Sequence, residues 1–363
     1  MRPLELYIHI PFCVKKCKYC DFLSGPSTAD QRETYVKSLC QDIRAYADLA
    51  KAYRVISIFV GGGTPSILTA EQMERIFEAV RETFYVEKDA EITVEMNPGT
   101  VDADKLSGYK RCGINRLSIG LQSTQNRELQ ILGRIHTYEE FVETYQLART
   151  EGFGNINIDL MSAIPGQRLV DWEESLRVVA KLGPEHISAY SLIVEEGTPF
   201  YEEYGEGRHA EELPDEETER KMYWRTKEIL KEYGYMRYEI SNYAKPGYEC
   251  RHNLGYWNRI EYLGIGTGAA SLIDNCRFNY GEEPQKLTES EQMEEMLFLG
   301  LRKMEGVSKK RFSEVFKTPI ESVYGNVIED MKKKGLLEIQ GDFVRLTSRG
   351  IDVSNYVMSE FLL

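Results

Sequence analysis

Residues 7–22 read Tyr7-Ile8-His9-Ile10-Pro11-Phe12-Cys13-Val14-Lys15-Lys16-Cys17-Lys18-Tyr19-Cys20-Asp21-Phe22. A short β-branched run opens the stretch and predicts a strand. Three cysteines follow, with three and then two residues between them. A cubane iron–sulfur cluster needs thiolates on a tight loop, so that neighbouring iron corners are reached together. Three cysteines serve three irons and leave the fourth open to a small molecule. Lys15, Lys16 and Lys18 place positive charge beside an anionic cluster and favour the thiolate forms. The competing chemistries are a structural zinc site and three free thiols. Zinc would take a fourth ligand nearby; Asp21 and His9 stand close in sequence, neither at a familiar spacing.

Outward from this loop, strand and helix patterns alternate. A helix is predicted from about Asp30 to Tyr53, with Tyr35, Leu39, Ile43 and Tyr46 on one face. Residues 55–60, VISIFV, form a strand that ends at Gly61-Gly62-Gly63. Thr69 with Gln72 three residues on is a capping-box signature for the next helix. EITVEM (91–96), RLSIGL (116–121), INIDLM (156–161) and HISAYSL (186–192) are four further strands. Six βα units with short connections imply a parallel sheet, because each right-handed crossover carries a helix. Glu95, Gln122 and Asp159 sit at or near the C-terminal ends of apolar strands, as do the cysteine and glycine loops. In a parallel barrel those ends meet at one mouth, where ligand-binding residues gather. The pattern predicts an α/β fold, a full or partial barrel with its site at that mouth.

The pattern changes after about residue 195. GTPFYEEYGEGRHAEELPDEE (197–217) reads as an exposed linker or lid. A helix is predicted over about 215–233, then an irregular aromatic-rich stretch over 235–280. The tail reads as helices at 289–304, 308–316 and 320–334, two strands within 336–346 and a final helix, an order resembling a winged-helix module. We therefore divide the chain into a core domain over 1–234 and a C-terminal α+β domain over 235–363. Lys332, Lys333 and Lys334 read as a solvated helix end.

Composition excludes several classes. The 363 residues carry a net charge of −13, which argues against nucleic acid and against broad contact with anionic lipid. No apolar run reaches the roughly 18 residues that span a bilayer, and the N-terminus lacks a signal-peptide pattern. Seven cysteines, three of them bunched, fit a cytoplasmic protein better than a secreted disulfide framework. Cys40, Cys112 and Cys276 read as packed thiols. Arg251-His252-Asn253-Leu254-Gly255-Tyr256-Trp257 sets one histidine beside two aromatics. Such a histidine is either buried and hydrogen-bonded in an aromatic core or able to serve a haem iron, with Cys250 as a second conceivable ligand.

Cx3CxxC directly after a first strand, followed by GGGTPS, resembles the radical SAM superfamily, whose members use S-adenosylmethionine (SAM). The phrase YIHIPFCVKKCKYCDF and the later HNxxYW resemble the group that contains oxygen-independent coproporphyrinogen III oxidase and the HemW haem chaperones. The resemblance covers essentially the whole chain and implies a radical SAM partial (β/α)6 TIM-like barrel. It implies a [4Fe–4S] cluster on Cys13, Cys17 and Cys20. It places SAM near Tyr7, Tyr19, Gly62, Gly63, Thr64, Glu95, Gln122, Arg134, Asp159 and Ile193. It associates His252, Asn253, Tyr256 and Trp257 with haem. Within the group two activities compete: a chaperone that binds haem and delivers it to a haem-requiring client, or the oxidase. The oxidases carry a fourth cysteine in a CxxCxC run and a longer N-terminal extension. Here Asp21 and Phe22 follow Cys20, and Cys13 lies close to the start. Both departures favour the chaperone, with slow SAM cleavage as an accompanying activity and any membrane contact made through a client. A third activity, modification of haem itself, occurs in the same group.

Overall fold

A computed structural model describes residues 1–363. Six strands, β1 (Arg2–Ile10), β2 (Tyr53–Gly62), β3 (Val86–Met96), β4 (Arg116–Gln122), β5 (Ile156–Ser162) and β6 (His186–Ser191), lie side by side in chain order and all run parallel. Helices 29–45, 70–83, 103–111, 138–150 and 169–182 make the connections. Three of them open on full capping boxes, at Thr28, Thr69 and Thr137, each reciprocated three residues on. The helix predicted to reach Tyr53 stops at Ala45, with one more turn at Ala47–Ala50. The ladder explains the early stop: Tyr53 pairs with Arg2, so the chain has to be extended from that residue.

Short strands prolong the sheet at both edges. β8 (Asn242–Ala244) pairs antiparallel with β6, and β7 (Met236–Arg237) pairs antiparallel with β8 at the edge. β9 (Tyr262–Ile265) pairs parallel with β1, and β10 (Ala270–Ile273), β11 (Cys276–Asn279) and β12 (Gln285–Lys286) follow antiparallel. The stretch 235–280, irregular by sequence, thus contributes short strands to both sheet edges, with a helix at Arg251–Trp257 between them.

The parallel strands have two unlike faces. Leu4, Leu6, Ile8 and Ile10 of β1, Ile92, Val94 and Met96 of β3, and Ile156, Ile158 and Leu160 of β5 are buried in the main apolar core. The alternate positions are polar: Glu5 and His9 on β1, Glu91 and Glu95 on β3, Arg116 and Ser118 on β4, Asn157 and Asp159 on β5. Tyr7 on β1 and Tyr190 on β6 line one and the same cavity although their strands do not pair. The sheet therefore curls around its polar face and stays open.

A second apolar core, including Leu297, Phe312, Tyr324, Met331, Val344 and Phe361, belongs to the tail. Helices 289–300, 309–316 and 320–333 surround a small sheet of β13 (Val307–Ser308), β14 (Leu337–Gln340) and β15 (Phe343–Leu346) in the order β13-β15-β14. Glu295 of this unit reaches back to Arg259 at 2.8 Å, both side chains 8% exposed. No helix is long and apolar enough to cross a membrane.

Candidate cofactor site

The cysteine loop leaves β1 at Ile10 and is pinned to itself at its base. Cys13 N–H donates to Gly25 O at 2.9 Å, and Gly25 N–H to Pro11 O at 3.1 Å. The glycine turn after β2 lies directly on it: Gly63 N–H donates to Ile10 O at 2.8 Å and Thr64 N–H to Phe12 O at 2.7 Å. A β-carbon on Gly63 would stand 2.6 Å from the Phe12 carbonyl oxygen, so no side chain fits. Gly62 has φ +112°, and a β-carbon there would strike the His9 ring at 2.4 Å. The glycines serve the close approach of two loops.

A chain of hydrogen bonds then links two of the thiols. Thr64 Oγ1 donates to Cys13 Sγ at 3.5 Å and accepts from Asn97 Nδ2 at 2.9 Å. Asn97 Oδ1 accepts from Arg134 Nη2 at 2.6 Å, and Arg134 Nη1 donates to Cys17 Sγ at 3.6 Å. Arg134 is thus turned inward onto the loop. All three cysteines are free thiols. The two neighbours considered for zinc are also accounted for: His9 bonds Tyr7 Oη at 2.9 Å and Leu23 O at 3.0 Å, and Asp21 is exposed. Thiols with guanidinium and hydroxyl donors around them suit an anionic iron–sulfur cluster.

Behind the glycine turn the polar face of the sheet encloses a cavity of about 240 Å³. Glu95 projects into it and accepts the Gly62 N–H at 3.1 Å. Burial, and secondly the charge of Asp159, push its carboxyl up to about 8. Asp159 is also raised by burial, while Asn157 Nδ2 at 2.8 Å and Ser118 Oγ at 3.2 Å hold its oxygens. Two carboxyls whose ionisation burial opposes are matched to a cationic ligand, whose charge would draw both into the anionic form. SAM carries such charge at its sulfonium and its amino group. Gln122 follows a bulge in β4 at φ 73°, and its amide lies against Gly120 beside Asn97 and Arg134. Tyr19 packs near Phe200, at 6.5 Å between rings. Ile193 is 66% exposed and does not line the cavity.

The segment Arg251–Trp257 is a helix that closes the other end of this cavity. Glu91 accepts the N–H groups of Arg251 and His252 at 3.2 and 3.1 Å. Gly255 packs so tightly on Glu5 that a β-carbon would fall 2.1 Å from its carboxylate. His252 is 1% exposed, with Nδ1 on Ser57 Oγ at 2.8 Å and Nε2 on Tyr256 Oη at 2.9 Å. Burial and then Arg116 push its imidazole down to about 3, so the ring is neutral. Neither nitrogen is free, and ligation of iron would require Ser57 or Tyr256 to let go. Asn253 and Tyr256 line the cavity, whereas Trp257 lies under the Arg302 guanidinium at 4.4 Å. Cys250 is fully buried against Glu91, and burial pushes its thiol up to about 12.

The sequence reading found the residues at the strand ends and missed those below them. Glu5, Ser57, Glu91 and Arg116 complete the polar interior, and Asn97 completes the link between the thiols. Strict alternation, as in Glu5-Leu6-Tyr7-Ile8-His9, is the signal that carries Glu5.

Residues 7–179 match the Radical SAM superfamily and residues 287–353 the HemN C-terminal domain. The chain is 37% identical to the haem chaperone HemW of Bacillus subtilis, covering 98% of both chains. It is 42% identical to HemW of Escherichia coli over 75% of this chain and 70% of that one. A mitochondrial radical S-adenosyl methionine domain-containing protein 1 of Mus musculus is 31% identical over 98% of this chain and 87% of its own. Among solved structures, coproporphyrinogen III oxidase (HemN) from Escherichia coli superposes with a TM-score of 0.86 at 23% identity, covering 99% of this chain and 90% of that one. That likeness establishes a shared radical SAM fold, with the open β/α barrel and the C-terminal unit in common. With near-complete coverage by its relatives at this level of identity, the chain belongs to the HemW haem chaperone family of radical SAM proteins.

Proposed function

We propose that this chain is a cytoplasmic haem chaperone that binds haem and passes it to a haem-requiring client. Its cluster ligands are Cys13, Cys17 and Cys20. Tyr7, Tyr19, Gly62, Gly63, Thr64, Glu95, Gln122, Arg134 and Asp159 form the SAM site, and Ile193, which lies outside the cavity, would reach SAM only from the exposed segment after β6. When bound, cluster and SAM together supply one-electron reductive cleavage of SAM. The protein's part is positional. Thr64 and Arg134 orient the thiols, Glu95 and Asp159 bind positive charge, and the Gly62–Gly63 backbone brings the ligand against the loop.

One observation carries the haem reading. The second residue after Cys20, where the oxidases carry a fourth cysteine, is Phe22, and it stands 62% exposed on the rim of the cavity. Leu23 beside it is 56% exposed. An exposed apolar lip at a polar mouth suits a flat apolar macrocycle and offers no further thiolate. The helix bearing His252, Asn253, Tyr256 and Trp257 supports haem binding from the far side of the same cavity. The core over 1–234 would hold the cofactors and the region over 235–363 would complete the haem-binding face.

Spectral titration of haem into the reconstituted protein tests the reading, with Phe22→Ser and His252→Ala alongside. We expect saturable binding that weakens in both variants while coproporphyrinogen III stays unconverted. Absence of haem binding together with robust conversion of coproporphyrinogen III would overturn it.

A further inference from the structure

On the side of the molecule formed by helix 216–232, strand β7 and the tail unit there is a recess of about 250 Å³. Its charged lining is Lys227, Lys231, Arg237 and Arg345 against a single carboxylate, Glu338. That carboxylate is already taken, by Arg345 at 2.7 Å. The acids nearest along the helix are taken as well: Glu228 pairs with Arg225, and Asp352 with Arg220 and the Trp224 indole N–H. Lys227, Lys231 and Arg237 are left with no acidic partner. Such convergence is unexpected in a chain of net charge −13, where counter-charge is plentiful.

The arrangement is costly as it stands. Lys227 is held below its ordinary value by burial and then by the charges of Arg237 and Lys231. The Arg237 guanidinium lies over the rings of Tyr223 and Trp224, at 5.2 and 5.1 Å. Its Nε and Nη1 are buried and meet no acceptor. Burying such donors without partners is unfavourable. A multiply charged anion in the recess would be attracted by all three cations together. Four cations against one carboxylate leave three positive charges in excess, more than one further carboxylate would neutralise.

We propose that this recess is a binding site for the phosphate end of a small free molecule, held by Lys227, Lys231 and Arg237. Ser348, on the tail's side of the recess, adds a hydroxyl. Because the lining comes from both units, the bound anion joins the tail to the barrel. This site is independent of the cofactor cavity and of the haem reading.

Isothermal titration with inorganic phosphate and with pyrophosphate, at fixed ionic strength, tests it on the cluster-loaded protein. Saturable binding is expected, with pyrophosphate the tighter of the two. The double variant Lys227→Ala/Lys231→Ala should bind at least roughly tenfold more weakly, while Lys231→Arg alone stays near the wild type. Cluster content and haem titration should be unchanged in all three proteins, showing that each is folded. No saturable heat, or binding that the double variant leaves intact, would overturn the proposal. A lipid headgroup is the other source of phosphate. Co-sedimentation with phosphatidylglycerol vesicles that pyrophosphate fails to compete would overturn the assignment to a free molecule.

Discussion

Glu5 sits at the centre of the packed floor of the cavity, and its protonation can be read as stability. The side chain is fully buried: Oε1 accepts from Ser57 at 2.9 Å, and Oε2 has no partner. Burial, with Glu91 adding like charge, pushes the carboxyl from 4.5 up to about 9. A raised carboxyl works against folding as pH rises. The unfolded chain ionises near its ordinary value while the folded one stays protonated, so the contribution present at low pH is lost on the way up to about 9. Each pH unit in that window is worth about 1.4 kcal/mol, hence about 3 kcal/mol between about pH 6 and about pH 8. Glu5→Gln keeps the shape and removes the titration. Equilibrium urea unfolding of the cluster-free chain, followed by far-ultraviolet circular dichroism across that range, gives the difference between the two proteins. The variant should gain on the wild type by about 1.4 kcal/mol per pH unit. Other titrating groups cancel in the difference. Parallel profiles would show that Glu5 is solvated or paired in the folded chain, and the account of a dry floor would fail.

The remaining predictions concern the cluster loop and the cavity. Gly63→Ala should push the end of β2 off the cysteine loop, since the new methyl lies 2.6 Å from the Phe12 carbonyl oxygen. Iron per chain after reconstitution should fall by more than about half, with a stability loss of about 1–3 kcal/mol; full loading would refute the close contact. Glu95, whose carboxyl lies near 8, should bind a cation better once ionised. SAM affinity should therefore tighten as pH rises through that value, by up to about tenfold per unit below it. In Glu95→Gln the affinity should be weaker and should lose this part of its pH dependence. An unchanged profile in equilibrium dialysis would remove Glu95 from the ligand's surroundings.

The parts of this molecule that were legible in sequence share a physical reason. Thr69 and Gln72 announced a helix start because a cap is a local contact, three residues long. The cysteine spacing was legible for the same reason. Glu95 and Asp159 stood out because each interrupts an apolar strand at its end. Glu5, Arg116 and His186 lie lower, within β1 and at the starts of β4 and β6, where no strand end singles them out. Asn97 lies just past β3, and its bonds to Thr64 and Arg134 span 33 and 37 residues, which no local pattern records. Strands β7 to β12 are two to four residues long, too short to show a period of two. Their place is decided by pairing with β6 and β1, a tertiary fact. His252 was read as a choice between two roles, and its bonds to Ser57 and Tyr256 depend on partners that sequence could not place.

The bonds that run from Cys13 through Thr64, Asn97 and Arg134 to Cys17 make one amide the shared support of two thiols. Asn97 touches neither sulfur, yet it holds the hydroxyl that donates to one and the guanidinium that donates to the other. A change at that single position would therefore reach both thiols together, from a residue outside the cysteine loop.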